Sequence, residues 1–212
     1  MSENYPGKTN RKPAVAGQFY PSDPQELRRV LQKYFSNSRQ KQLDGELMAI
    51  IVPHAGYVYS GEVAAAAYCQ IDPDRKYRTV FVIGLSHSDS YPGASVYTSG
   101  NYITPLGEVP VDLQLARKLA AENKVMGFDP SYQNREHSLE VQMPFIQYHF
   151  RHPQNVVPIL LGTTDIQVCR QIAKVLEPYF KPDNLFIIST DFSHYPDYDN
   201  AKKVDNRIAD AI

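Results

Sequence analysis

Three apolar runs in this chain each end in side chains that can bind metal or move protons. MAIIVPH carries His54, VFVIGLSH carries His87, and LFIISTDFSH carries Asp191 and His194. Two neutral imidazoles and a carboxylate, with coordination positions left open, suit ferrous iron and oxygen chemistry. Zinc accepts similar donors, and copper is a further alternative to iron(II). His54 and His87 are the metal-ligand candidates, each on a short loop leaving a strand. Asp191 would either ligate directly or orient a ligand from behind. His194 is better suited to acid–base work, because a histidine beside a bound substrate exchanges protons at neutral pH. Asp191, three residues earlier, would fix its tautomer. Asp191 and His194 therefore form the candidate catalytic pair.

Plainer roles compete with these. A single histidine after a strand usually caps or packs, and it is the recurrence at three strand ends that points to a site. Asp191 by itself would serve equally well as the cap of the turn or helix that follows it. A second cluster lies in Arg135-Glu136-His137-Ser138-Leu139-Glu140. If that segment is helical, His137 and Glu140 share a face, either reaching the pocket or standing as a solvated pair. Gly61 is read as the start of a helix whose N–H groups would favour an anion. His149 and His152 sit near a helix end, where a contact with the helix dipole suffices. Tyr57, Tyr59, Tyr195 and Tyr198 are read as rim packing.

The elements that must bring these residues together follow from periodicity. Ser22-Asp23-Pro24-Gln25 caps a helix whose Leu27, Val30, Leu31, Tyr34 and Phe35 recur at helical spacing. Leu47 to Val52 is a short apolar run, read as a strand buried on both faces, and a helix is expected from about Gly61 to Cys69. Thr79 to Leu85 and Val156 to Leu161 are strands, Val96 and its neighbours a further one, and Leu185 to Ser189 the last. Asp112 caps a helix carrying Leu115, Ala116 and Leu119, and Thr164 or Asp165 opens another through Leu176. Strands alternating with helices predict an α/β sandwich, one domain over residues 1–212, with a largely parallel central sheet. In such sheets ligands bind beyond the carboxyl ends of the strands, where His54, His87, Asp191 and His194 would meet. Asp199 to Ile212 reads as a helix that ends without a closing residue, so a C-terminal segment is expected to be missing.

Composition narrows the partners. The 22 Lys and Arg against 23 Asp and Glu give no field that would favour nucleic acid or an anionic membrane surface. The polar leader MSENYPGKTNRKP lacks the apolar core of a signal peptide. No apolar run reaches the roughly 18 residues needed to span a bilayer, so a cytoplasmic location is expected. Cys69 and Cys169 fall in helical segments and read as packed thiols rather than a disulfide or a Cys-rich zinc site. Oligomeric state cannot be read from the sequence.

The segments GQFYP, VPHAGYVYSG, GLSHSD, TPLGEVPVD, EHSLEVQMPF and STDFSHY, in this order and spacing, resemble the Memo family over essentially the whole chain. These proteins are also known as AmmeMemoRadiSam system protein B. The resemblance implies a fold like the catalytic subunit of class III extradiol dioxygenases, which use non-haem iron. It also implies that His54 and His87 ligate the metal while Asp191 and His194 line the same pocket. The family's remaining ligand is a cysteine in a C-terminal segment, and neither Cys69 nor Cys169 lies in a matching motif. Two function classes follow. One is a metal-dependent oxidoreductase acting on oxygen or an aromatic diol-like molecule. The other is a binding module for a peptide or small ligand, since an animal relative is associated with receptor-driven cell motility and phosphotyrosine peptides. A zinc hydrolase ranks third, because no nucleophile motif singles it out.

Overall fold

Residues 9–41 and 45–212 are described by the computed structural model, so the first eight residues of the polar leader lie outside the described residues. A five-stranded sheet runs in the order β1-β7-β2-β6-β3, built from β1 (Ala49–Val52), β2 (Thr79–Leu85), β3 (Ala94–Val96), β6 (Val156–Leu161) and β7 (Asn184–Ser189). The first four strands in that order are mutually parallel, and β3 pairs antiparallel with β6 at one edge. The expected α/β architecture with a largely parallel sheet is what the chain adopts. Between β3 and β6 the TPLGEVPVD segment forms a hairpin, β4 (Tyr102–Thr104) with β5 (Gly107–Val109), that was not anticipated. Three residues per strand is too short for periodicity to register.

The helices begin where the caps predict. Asp23 accepts from the backbone N–H groups of Gln25 and Glu26 to open α1 (Pro24–Asn37), with Pro24 in the first turn. Asp112 caps α3 (Leu113–Glu122), and Asp165, not Thr164, caps α5 (Ile166–Leu176). The helix after β1 differs: α2 (Tyr57–Tyr68) starts four residues before Gly61. Gly61 is therefore an interior residue, not an anion-binding terminus. A Cβ there would lie 2.4 Å from Cε2 of Tyr34, so the missing side chain is what lets α1 and α2 pack this closely. Further on, α4 (Met143–His149) lies between the hairpin and β6, and α6 (Tyr198–Asp210) follows β7.

Register divides the sheet into two faces. Ile50, Val52, Val80, Val82, Leu185, Ile187 and Ser189 point one way and are all buried. On the opposite face Phe81 and Phe186 stack with ring centroids 4.6 Å apart. Toward the carboxyl ends of the strands that second face opens, leaving Ile51 and Leu85 exposed. The prediction of a first strand buried on both faces is thus corrected: β1 is an edge strand with one face covered. Cys69 and Cys169 are half-buried free thiols. Among the described residues no helix is long and apolar enough to cross a membrane.

Candidate metal centre

The parallel strands deliver their carboxyl ends to one place, and the predicted residues arrive there. The His54 ring centroid lies 5.1 Å from that of His87 and 6.4 Å from that of His194, and His87 and His194 are 5.7 Å apart. Asp191 Oδ2 is 3.8 Å from His54 Nε2. A further imidazole joins them: the His137 ring is 4.2 Å from His87 and 5.6 Å from His54. Two overlapping groups of donors can therefore hold an ion, His54 with His87 and His137, and His54 with Asp191 and His194. Within each group the donor atoms lie within 4.8 Å of one another.

His137 reaches the site because its segment is not a continuous helix. Pro130–Arg135 and Glu140–Gln142 are separate 3₁₀ turns, and the chain between them passes through extended backbone at Glu136 and a turn at Ser138 and Leu139. The expectation that His137 and Glu140 share a helical face is corrected on that ground. Glu140 turns inward instead, where its carboxylate accepts from Arg11 at 2.7 Å, Tyr20 at 2.6 Å and the N–H groups of Ala14 and Val15. Gly84 makes room for this segment against the sheet, since a Cβ there would meet Ser138 Oγ at 2.8 Å.

Glu136, to which the sequence assigned no role, anchors the ring of His87 and the backbone at His137. It is buried and accepts four hydrogen bonds: from His87 N at 2.7 Å, His87 Nδ1 at 2.9 Å, and the N–H groups of His137 and Ser138 at 2.8 Å each. Burial alone would raise its carboxyl. The hydrogen bonds from the His87 ring and the surrounding backbone outweigh that and hold the group down at about 2. The ionised carboxylate accepts a hydrogen bond from His87 Nδ1–H, which leaves Nε2 of that ring as the lone-pair atom available to a metal. Its hydrogen bond is also the main reason His87 is shifted up, whereas burial pushes His137 down. Its place directly before His137 was the signal that could have flagged Glu136.

Asp191 does not cap the turn that follows it. Its Oδ1 accepts from the backbone N–H of His54 at 2.5 Å and of Ala55 at 3.1 Å, so it ties the end of β7 to the loop leaving β1. Oδ2 is left beside His54 Nε2. The loop it begins is held in an unusual shape, with Phe192 (φ 61) and Tyr195 (φ 57) in the left-handed region. Asp205 of α6 accepts from Ser193 N at 3.1 Å and steadies that loop, and His194 stands exposed at its tip. Of the other residues weighed, Tyr57 is buried and donates to the Val141 carbonyl, while Tyr59, Tyr195 and Tyr198 are exposed. His149 hydrogen-bonds the Ile71 carbonyl through Nε2 and stacks on Phe35, away from the site.

The donor set fits a metal ion on one observation in particular. His54 is almost fully buried, and its Nε2 has no hydrogen-bond partner among the described residues. Burial together with the neighbouring imidazoles keeps the ring neutral, lowering its pKa to about 4 against the pull of Asp191. A neutral ring with a bare buried nitrogen facing two more imidazoles and a carboxylate is what a cation completes.

Comparison with known proteins identifies the family. Residues 11–212 match the family model described as Memo-like protein. A MEMO1 family protein of Methanopyrus kandleri is 35% identical over 212 residues, covering 95% of this chain and 75% of the relative. One from Thermoplasma acidophilum is 36% identical, covering 95% and 74%, and one from Thermococcus onnurineus is 38% identical, covering 87% and 65%. A family model spanning nearly all of the described chain, with relatives above one-third identity, leaves one conclusion: the chain belongs to the Memo-like family.

Proposed function

We propose that this chain, acting as one Memo-like domain, is a metal-dependent oxidoreductase whose ion is ferrous iron. His54 and His87 are its ligands, with His137 beside them. The observation that carries the reading is the buried, unpartnered Nε2 of His54 facing the other imidazoles. Iron bound there would supply the redox chemistry for oxidation of a small aromatic diol-like substrate. The protein's own residues prepare the pocket. Glu136 orients the His87 ring from behind and holds the backbone at His137, and Phe19 packs against His137 at 4.6 Å, forming an apolar wall next to the ring. Asp191 fixes the loop carrying His54 and keeps Oδ2 toward the pocket. His194 exchanges protons with substrate and solvent from its exposed position.

Anaerobic titration of ferrous iron into metal-free protein, with His54→Ala and His87→Ala as controls and oxygen uptake measured afterwards, tests this. One tightly bound equivalent, lost in both variants, supports the reading. Unchanged stoichiometry in either variant removes that residue from the ligand set, and absence of specific binding leaves the pocket a recognition cleft for a peptide or small ligand. Zinc and copper enter the same titration as competitors.

A further inference from the structure

Behind His54, on the side away from the other imidazoles, three side chains form a hydrogen-bonded chain. Tyr68 Oη donates to Gln142 Oε1 at 3.1 Å; Gln142 Nε2 donates to the Pro53 carbonyl and to Ser189 Oγ, both at 2.9 Å; Ser189 Oγ donates to the Ser138 carbonyl at 2.6 Å. Ser189 Oγ also lies 3.0 Å from His54 Nδ1. Ser189, Gln142 and Tyr68 are all buried, and Ser189 is the last residue of β7 on the fully covered face of the sheet.

Donor and acceptor counting fixes the protons in this chain. The Pro53 carbonyl only accepts, so the amide of Gln142 has its NH2 on that side, and Ser189 must accept from it. The Ser138 carbonyl also only accepts, so the single hydroxyl proton of Ser189 goes there. What Ser189 has left for His54 is a lone pair, and Nδ1 can meet it only as N–H. The opposite tautomer would draw the hydroxyl proton away from the Ser138 carbonyl. It would also place a buried Nε2–H 3.8 Å from the nearest Asp191 oxygen, beyond hydrogen-bonding reach.

We propose that Ser189, backed by Gln142, is a positioning residue that locks His54 in its Nδ1–H tautomer and so presents a bare Nε2 for coordination. The inference rests on the metal-site reading for its purpose but not for its geometry, which is complete in the chain alone. It gives His54 a counterpart to what Glu136 gives His87: an acceptor behind the ring that aims the other nitrogen forward. The two acceptors differ in charge. Ser189 directs a ring that stays neutral, whereas Glu136 adds a full negative charge behind His87.

The test is long-range proton–nitrogen correlation of the imidazoles in nitrogen-15-labelled, metal-free protein at neutral pH, with the His54 signals assigned by their loss in His54→Gln. Zinc(II) is then titrated as a diamagnetic probe. The expected result is a protonated Nδ1 and an unprotonated Nε2 on His54 in the wild type. Ser189→Ala should move the proton toward Nε2 and weaken zinc binding by about 10–100-fold, and Ser189→Thr, which keeps the hydroxyl, should restore both. Wild-type His54 protonated on Nε2 overturns the lock without reference to any variant. Ser189→Ala that retains the Nδ1–H form and wild-type zinc affinity overturns it as well. If Ser189→Ala reverses the tautomer while zinc binds neither protein, the lock stands and the metal-site reading falls.

Discussion

Replacing Glu136 with Gln keeps the size and shape of the side chain and removes its charge. In the native protein the carboxylate accepts four hydrogen bonds, three on Oε1 and one on Oε2. An amide has one acceptor. Its better orientation puts NH2 against the His87 backbone N–H, leaving a buried donor unpaired at a cost of about 1–3 kcal/mol, while the other three bonds lose their charge-assisted strength. The loss expected for metal-free Glu136→Gln is therefore about 3 kcal/mol. The lowered carboxyl leads to a figure of the same size. A carboxyl held at about 2 when folded, against 4.5 as the reference, stabilises the fold by about 3 kcal/mol at neutral pH. Because the folded group releases its proton more readily, that contribution is complete above pH 4.5 and disappears as pH falls through about 2. Urea denaturation at pH 7 and along the acid limb measures both effects. The wild type should lose stability over that interval and Glu136→Gln should lose much less of it. A variant within about 0.5 kcal/mol of wild type at pH 7, the range of ordinary surface substitutions, would refute the account of Glu136 as the anchor of His87 and His137.

Two further substitutions probe the frame around the site. Arg11 is buried and bonds the Gln133 and Glu136 carbonyls at 2.7 and 2.6 Å as well as Glu140, so Arg11→Leu should cost about 3–5 kcal/mol in a denaturant melt by stranding the Glu140 charge. Gly61→Ala should cost about 1–3 kcal/mol in the same assay by pushing Tyr34 away from α2.

The elements that carry the centre were readable because each ends in a sharp local signal. Apolar runs of four to seven residues stop at His54, His87 and Asp191, and acidic caps at Asp23, Asp112 and Asp165 start the helices between them. Because ligands bind beyond the carboxyl ends of parallel strands, those ends then place the residues together. What was missed depends on partners distant in sequence. His137 looks helical beside Glu140 until Arg11, more than 120 residues earlier, draws Glu140 into the core and the two side chains part. Asp191 resembles a local cap because a sequence cannot show that the N–H groups of His54 and Ala55 lie across the β1–β7 pairing. Ser189 gives no signal at all, since a serine at the end of an apolar strand reads as the start of a turn. The edge position of β1 was hidden for a related reason: its apolar run is indistinguishable from that of a central strand.

The donors at residues 54, 87, 137 and 191 come from four separate stretches of chain, joined through the sheet, the carboxylates of Glu136 and Asp191, and the hydroxyl of Ser189. An unfolded or half-folded chain cannot gather them, so any affinity of this cluster for an ion would depend on the assembled sheet. Binding then acts as a thermodynamic brake on unfolding: free metal at a hundred times its dissociation constant would add about 2.7 kcal/mol to global stability. Loss of the ion and loss of the fold would be read by the same melting curve, so an upward shift of that curve on adding metal would report an occupied site.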